Sequence, residues 1–361
     1  LAFEELYRDD PAPPADVAGT APFVVISTAA TEGVPRGAVL THQNLITAGY
    51  ELLTTLGLSS QDRYLAVLPL FHITGLGFAL GALQAGGASV VMGKYDPAAA
   101  AALIDEHAVT YFGDFPPILQ TMLDARAASG ATWSSLRHVF GLDAPDVIQR
   151  LQAETEAVFW TGFGQSETSG GITLMPAMER PGSAGRPFPS VRLRCVDAAG
   201  NDAPTGEPGE IVVQGPVVFA GYWRDPDATA FAFRRGWHHT GDVGKLDEDG
   251  YLYYVGRKPE KELIKSGGEN VYPAEVEHAL EALPQVAAAC VIGVPDEKYG
   301  EAVKAVVALT PGASMTAAEV GAAVSERIAS YKKPRYVDFV EQLPRRDNGE
   351  IDRAAVKDAH G

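Results

Sequence analysis

The chain is predicted to be an α/β protein with a large N-terminal domain, built on a mostly parallel sheet and carrying a β subdomain, followed by a small α+β C-terminal domain. Three observations lead there. Short apolar runs alternate with helical spacing in the first part of the chain; β-branched alternation broken by turn-rich stretches takes over after about residue 183; and a compact unit with its own strands and helices follows from about residue 258. The 361 residues agree with about two domains at roughly 150 residues each.

In chain order, residues 21–26 (APFVVI) form an apolar run that reads as a buried strand, followed by a small, hydroxylated loop. Thr41 is an N-cap candidate for a helix over 41–56. Residues 64–68 and 89–92 are further buried strands, and a helix over 98–107 leads to a strand over 109–112, the alternation expected of a parallel sheet. Strands over 191–196 and 209–213 flank the turn-rich stretch 197–208, and the acidic turn 247–250 joins 243–246 to 251–255 as a hairpin. The last unit contains a helix over 273–283, strands over 286–294 and 302–309, and a helix over 316–330.

Lys plus Arg number 29 against 46 Asp plus Glu, a net charge of −17. This excludes the broad basic footprint that nucleic acid or an anionic membrane requires, so an anionic ligand must be bound by local groups. Two cysteines, Cys195 and Cys290, are too few for a disulfide framework or a cysteine zinc site and fit a reducing, cytoplasmic compartment. No basic segment followed by an apolar stretch and a small-residue cleavage site is visible at the start of the sequence, so no secretory signal is expected in it, and no apolar run reaches membrane-spanning length.

Four segments carry chemistry. Residues 27–37 combine hydroxyls and small residues with Pro35-Arg36-Gly37, which serves either to wrap a phosphate or simply to connect a strand to a helix. Residues 161–168 (TGFGQSET) place glycines, an aromatic face, hydroxyls and a carboxylate together; Phe163 can stack on a base while Glu167 holds Mg²⁺, and a structural turn is the competing reading. Asp242 and Arg257 flank a hairpin and suit either ribose hydroxyls or a surface salt bridge. Residues 265–273 (KSGGENVYP) form a glycine-rich loop that approaches something closely.

Together with Pro69-Leu70-Phe71-His72, Gly209-Glu210-Ile211, Gly221-Tyr222-Trp223, Gly256-Arg257-Lys258 and Tyr331-Lys332-Lys333-Pro334, these segments resemble, in order, the adenylate-forming superfamily and its acyl-CoA and aryl-CoA ligase branch. The resemblance implies an enzyme using ATP, Mg²⁺ and coenzyme A that joins a small-molecule carboxylic acid, fatty or aromatic, to ATP and then passes the acyl group to a thiol. It implies that Thr28, Thr31 and Arg36 belong to the phosphate loop and that Phe163 and Gly164 meet the adenine beside Gly141. By the same resemblance Asp242 and Arg257 hold ribose, Ser166 touches the α-phosphate, Glu167 binds the metal, and His72 lies beside the acyl pocket. The C-terminal domain, residues 258–361, is expected to turn on the large domain, 1–257, about a hinge at 256–263 in which Lys261 is the pivot, and Gly267 and Gly268 are expected to line a pantetheine tunnel.

Three departures from the family pattern bear on activity. The phosphate loop reads Thr28-Ala29-Ala30-Thr31-Glu32-Gly33, losing a hydroxyl and a glycine. Glu350 stands at the position of the family lysine that bridges the acid and the α-phosphate, so adenylation is expected to be impaired. Only 26 residues precede Ser27, so the chain is expected to be N-terminally shortened, with a missing segment or a homo-oligomeric partner completing it. An adenylate-binding pseudoenzyme and a domain that loads a carrier protein are the alternatives. Against the second, 71–77 and 164–173 contain no acidic residue positioned to read an α-amino group.

Overall fold

The computed structural model describes residues 15–28, 36–197, 199–257, 264–267, 269–345 and 351–361. A seven-stranded sheet organises the large domain in the order Arg186–Pro187, Thr173–Pro176, Val158–Thr161, His138–Gly141, Tyr111–Asp114, Arg63–Ala66, Ala88–Val91. The last five strands are parallel; Thr173–Pro176 runs antiparallel to Val158–Thr161, and Arg186–Pro187 runs antiparallel to Thr173–Pro176 in turn. Alternate side chains of the central strands point to opposite faces. Leu65, Phe112, Val139 and Phe159 meet helices Pro97–Glu106, Ile118–Ser129 and Pro145–Glu154 on one face. Tyr64, Tyr111 and Phe140 meet helices His42–Leu56 and Ile73–Gln84 on the other. Burial on both faces explains why these strands read as continuous apolar runs.

The N-terminal strand differs from expectation. It runs Pro22–Thr28, antiparallel to a second strand, Arg36–Thr41, which pairs in turn with Gly221–Tyr222. Ile26 is buried, yet Phe23 and Val25 are 45% and 43% exposed, so this is a half-exposed edge strand and not a buried one. An apolar run of this length is compatible with either state. Thr41 caps the following helix as expected, its hydroxyl accepting from the Asn44 N–H while Asn44 Oδ1 accepts from the Thr41 N–H.

The β subdomain pairs Arg192–Val196 with Gly209–Gln214 and the latter with Trp237–Leu246, which forms the expected hairpin with Leu252–Arg257. Asp247 Oδ1 accepts from the Asp249 and Tyr251 N–H groups and closes that turn. In the C-terminal unit Val286–Asp296 and Gly300–Leu309 form a long antiparallel pair, joined by Ile264–Ser266, Glu269–Val271 and a parallel strand, Tyr336–Val340. Val276, Leu280, Val320 and Val324 of helices Pro273–Glu281 and Ala317–Arg327 fill a separate core over this sheet. Residues 258–263 with the Lys261 pivot lie outside the described residues. Among the described residues no helix is long and apolar enough to cross a membrane.

Candidate active site

Strand Val158–Thr161 delivers the chain to a tight hairpin in which Gly164–Gln165 pairs with Gly170–Gly171 and one turn of 3₁₀ helix, Ser166–Thr168, forms the tip. This places Ser166 and Glu167 in the wall of a cavity of about 1440 Å³. Glu167 is buried, and Tyr222 Oη donates to its Oε1 at 2.8 Å. Burial, followed by the Glu167 charge, pushes the Tyr222 hydroxyl far above its ordinary pKa and keeps it a donor. The Arg36 guanidinium lies 5.5 Å from the Tyr222 ring centroid and pairs with Asp225 at 3.3 Å. Thr28, at the end of its strand, lines the same cavity.

Asp242 is 2% exposed, and its carboxylate accepts from Gln165 Nε2 and, at 3.3 Å, from Tyr254 Oη. Gln165 Nε2 also donates to the Thr240 carbonyl at 3.0 Å, tying the hairpin tip to strand Trp237–Leu246. Asp242 and Arg257 are cross-strand partners as predicted, and the Arg257 side chain lies outside the described atoms. Phe163 stacks with Tyr254 at 6.2 Å between centroids, and both line the cavity.

The smaller domain supplies the opposite wall with Lys265, Gly267, Glu269, Glu275, Tyr299 and Lys332. Gly267 has φ +60°, and a Cβ there would lie 2.6 Å from the Tyr299 ring, so glycine is needed on both counts. His72, at the head of helix Ile73–Gln84, makes no cap bond with its side chain. Its Nε2 instead meets Glu269 Oε2 of the smaller domain at 3.1 Å. A carboxylate only accepts, so Nε2 carries the proton. Lys332 Nζ donates to both Glu275 oxygens at 2.6 Å.

A further wall contains one acid, Asp143, with a second, Asp114, buried outside the lining. Asp114 ends strand Tyr111–Asp114 opposite Gly141, where a Cβ would collide with the Asp114 carbonyl at 1.7 Å. Asp114 is fully buried, its Oδ1 accepting from the Leu119 N–H at 2.9 Å, and Asp143 lies in the following loop and lines the cavity. Burial and then the Asp143 charge raise the Asp114 carboxyl well above the usual range, and Asp143 is itself raised by burial.

The expected site residues Thr28, Arg36, His72, Gly141, Phe163, Gly164, Ser166, Glu167, Asp242 and Gly267 thus line one cavity. Thr31, Lys261, Gly268 and Glu350 lie outside the described residues. Sequence reasoning missed Gln165, Tyr222, Tyr254, Glu269, Asp114 and Asp143. Gln165, Tyr222 and Glu269 sat inside motifs already noted, whereas only the isolated carboxylate in an apolar run marked Asp114.

A large α/β domain closed by a small one over a cavity of this kind defines an adenylate-handling enzyme. The chain belongs to the AMP-binding enzyme family: that family's model matches residues 1–223, and the model of the AMP-binding enzyme C-terminal domain matches 275–350. A feruloyl-CoA synthase of Amycolatopsis is 37% identical over 344 residues, covering 94% of this chain and 70% of that protein. A double mutant of the Bacillus subtilis o-succinylbenzoate CoA synthetase, bound to a product analogue, superposes with a TM-score of 0.87 at 31% identity, covering 95% of this chain and 70% of that one. The same synthetase bound to its acyl-adenylate intermediate gives 0.64 at 32% identity with the same coverage.

Proposed function

We propose that the chain acts as an ATP-dependent carboxylic acid–CoA ligase that works through an acyl-adenylate. The observation that carries this reading is the single cavity in which Asp242, Phe163, Ser166 and Glu167 of the large domain face Gly267, Glu269 and Tyr299 of the small one. In the first half-reaction an oxygen of the acid attacks the α-phosphorus of ATP and pyrophosphate leaves. In the second the CoA sulfur, having lost its proton, attacks the acyl carbon and AMP leaves. Asp242 accepts from the ribose hydroxyls, the Phe163 and Tyr254 rings flank the base, and the Ser166 hydroxyl donates to the α-phosphate. Closure of the small domain over the cavity excludes water from the acyl-adenylate, which would otherwise hydrolyse.

Among the described residues no three His, Cys, Asp or Glu side chains converge on a metal position. Magnesium is commonly held by one or two carboxylates together with substrate phosphates, and the buried Glu167 carboxylate, fixed through one oxygen by Tyr222, fits that role. When bound there, the ion neutralises charge on the phosphates.

The higher structural agreement with the product-analogue complex than with the acyl-adenylate complex of one synthetase supports reading this arrangement as the thioester-forming one. The domain boundary near 257, the hinge at 256–263 and the tunnel beside Gly267 follow from that reading. The full reaction requires acid-dependent release of pyrophosphate and AMP with CoA consumed; tight acyl-adenylate binding without release with any acid would instead support the pseudoenzyme, which Glu32 and Glu350 favour. A carboxylate replacing an ammonium about 4 Å from the reacting charge turns about 4 kcal/mol of attraction into repulsion at an effective dielectric of about 20. Glu350→Lys should therefore accelerate pyrophosphate release by about a hundredfold or more, and an unchanged rate refutes the assignment.

A further inference from the structure

Thioester formation as written above leaves one proton without a destination, the one that the CoA thiol gives up as its sulfur attacks. An alkyl thiol with the ordinary cysteine pKa of about 8.5 is only about 3% ionised at pH 7. A base held where the sulfur meets the acyl carbon therefore accelerates the step.

His72 stands between the two hairpins that bring those atoms together. It heads helix Ile73–Gln84, whose first residue abuts the hairpin carrying Ser166 and Glu167: a methyl group on Gly170 would lie 4.0 Å from Ile73 Cγ1. On its other side the ring meets Glu269, which belongs to the hairpin of Ile264–Ser266 and Glu269–Val271 that also holds Gly267, the site of the proposed tunnel. His72, Glu269 and Gly267 all line the cavity. Because Nε2 donates to Glu269 Oε2 at 3.1 Å, Nδ1 is the acceptor of the neutral ring. Nδ1 makes no hydrogen bond with a described residue and keeps accessible surface, so its lone pair is presented to a ligand.

The titratable groups around this pair are committed elsewhere. Lys332 Nζ holds both Glu275 oxygens, and Tyr222 Oη donates to Glu167. The Tyr331 hydroxyl is raised above its ordinary pKa by burial and then by the Glu269 and Glu275 charges, which keeps its proton in place.

Resting on the ligase reading, we propose that His72 is the general base of thioester formation and that Glu269 is the positioning residue that fixes its tautomer. The S–H bond breaks and its proton passes to Nδ1. The sulfur electron pair forms the C–S bond to the acyl carbon, the C–O bond to the phosphate breaks, and AMP leaves with that pair. The Glu269 carboxylate balances the imidazolium until the proton returns to solvent. A nucleophile, a base and a third group orienting the base are the recurring parts of assisted nucleophilic attack.

The test follows thioester formation by the full chain from a supplied acyl-adenylate and CoA in a single turnover. His72→Gln keeps an N–H donor for Glu269 and lacks the base, which separates proton transfer from the domain contact. Its rate at pH 7 should fall by about a hundredfold. Between pH 7 and 8 the variant should gain about tenfold, because only preformed thiolate reacts, whereas wild type should gain less than about threefold. Each gain is a ratio within one protein and cancels a general loss of folded or active material. A tenfold gain in wild type, or a gain in His72→Gln no steeper than that of wild type, overturns the proposal and leaves the ligase reading standing. Where His72→Gln does not fold, His72→Ala with added imidazole takes its place: a shallow dependence restored by imidazole supports the proposal, and one that stays steep overturns it. If wild type forms no thioester at all, the ligase reading fails and the general base falls with it.

Discussion

The contact between His72 and Glu269 spans 197 residues of sequence and joins the two domains inside the cavity. Full unit charges at its 3.1 Å separation would attract by about 5 kcal/mol at an effective dielectric of about 20. The side chains are 32% and 28% exposed, so solvent and side-chain entropy reduce the net value to about 1 kcal/mol, or roughly fivefold in the population of this domain arrangement. Glu269→Ala removes the acceptor. Thioester formation from a supplied acyl-adenylate and CoA, followed in a single turnover, should slow by about fivefold relative to acid-dependent pyrophosphate exchange. Glu269→Gln, which retains an acceptor oxygen, should recover most of the difference. An equal loss in both half-reactions, or none in either, refutes the inference that this contact holds the thioester-forming arrangement.

Gly267→Ala combines a left-handed backbone with a methyl group 2.6 Å from the Tyr299 ring, and should raise the KM for CoA by about tenfold or more; measuring that KM beside the one for ATP separates a tunnel effect from general damage. His138 is held down to about 4 by burial and then by Arg137, and its Nδ1 accepts from Trp160 Nε1 at 3.1 Å. Between about pH 4 and 6.5 the unfolded chain therefore binds the proton that the folded one refuses. The His138 contribution is complete above about pH 6.5 and is lost as pH falls toward 4. Thermal unfolding across this range should show a shallower acid-side decline in His138→Gln than in wild type, and parallel curves would contradict the assignment.

The sheet and the nucleotide side of the cavity were legible because their signals are local. Continuous apolar runs mark the central strands, buried on both faces, although the run at 89–92, also expected to be buried, forms the edge strand Ala88–Val91 with Val91 66% exposed; Phe163, Glu167 and Asp242 sit in short motifs whose backbone turns also position them. Strand Arg36–Thr41 was missed because its pairing partner Gly221–Tyr222 lies about 180 residues away and its first residues look like loop. The His72–Glu269 contact depends on how two separately folded cores meet, which no periodicity encodes. Asp114 closes an otherwise apolar strand, where a single carboxylate reads as the strand's end; only the fold shows that it is buried opposite Gly141 while Asp143, in the loop after that neighbouring strand, lines the cavity.

At about 1440 Å³ the cavity exceeds the roughly 300–1,000 Å³ usual for a site holding one small molecule. Its walls are continuous from the aromatic pair Phe163 and Tyr254 to the gap beside Gly267 and to Asp143 near Gly141. For inhibitor chemistry this makes the interior one address with three branches. A nucleoside joined through an uncleavable linkage to an acyl tail, or to a pantetheine arm, would gain the effective concentration of each tethered fragment for the next, and such a compound would bind across both domains and lock them together.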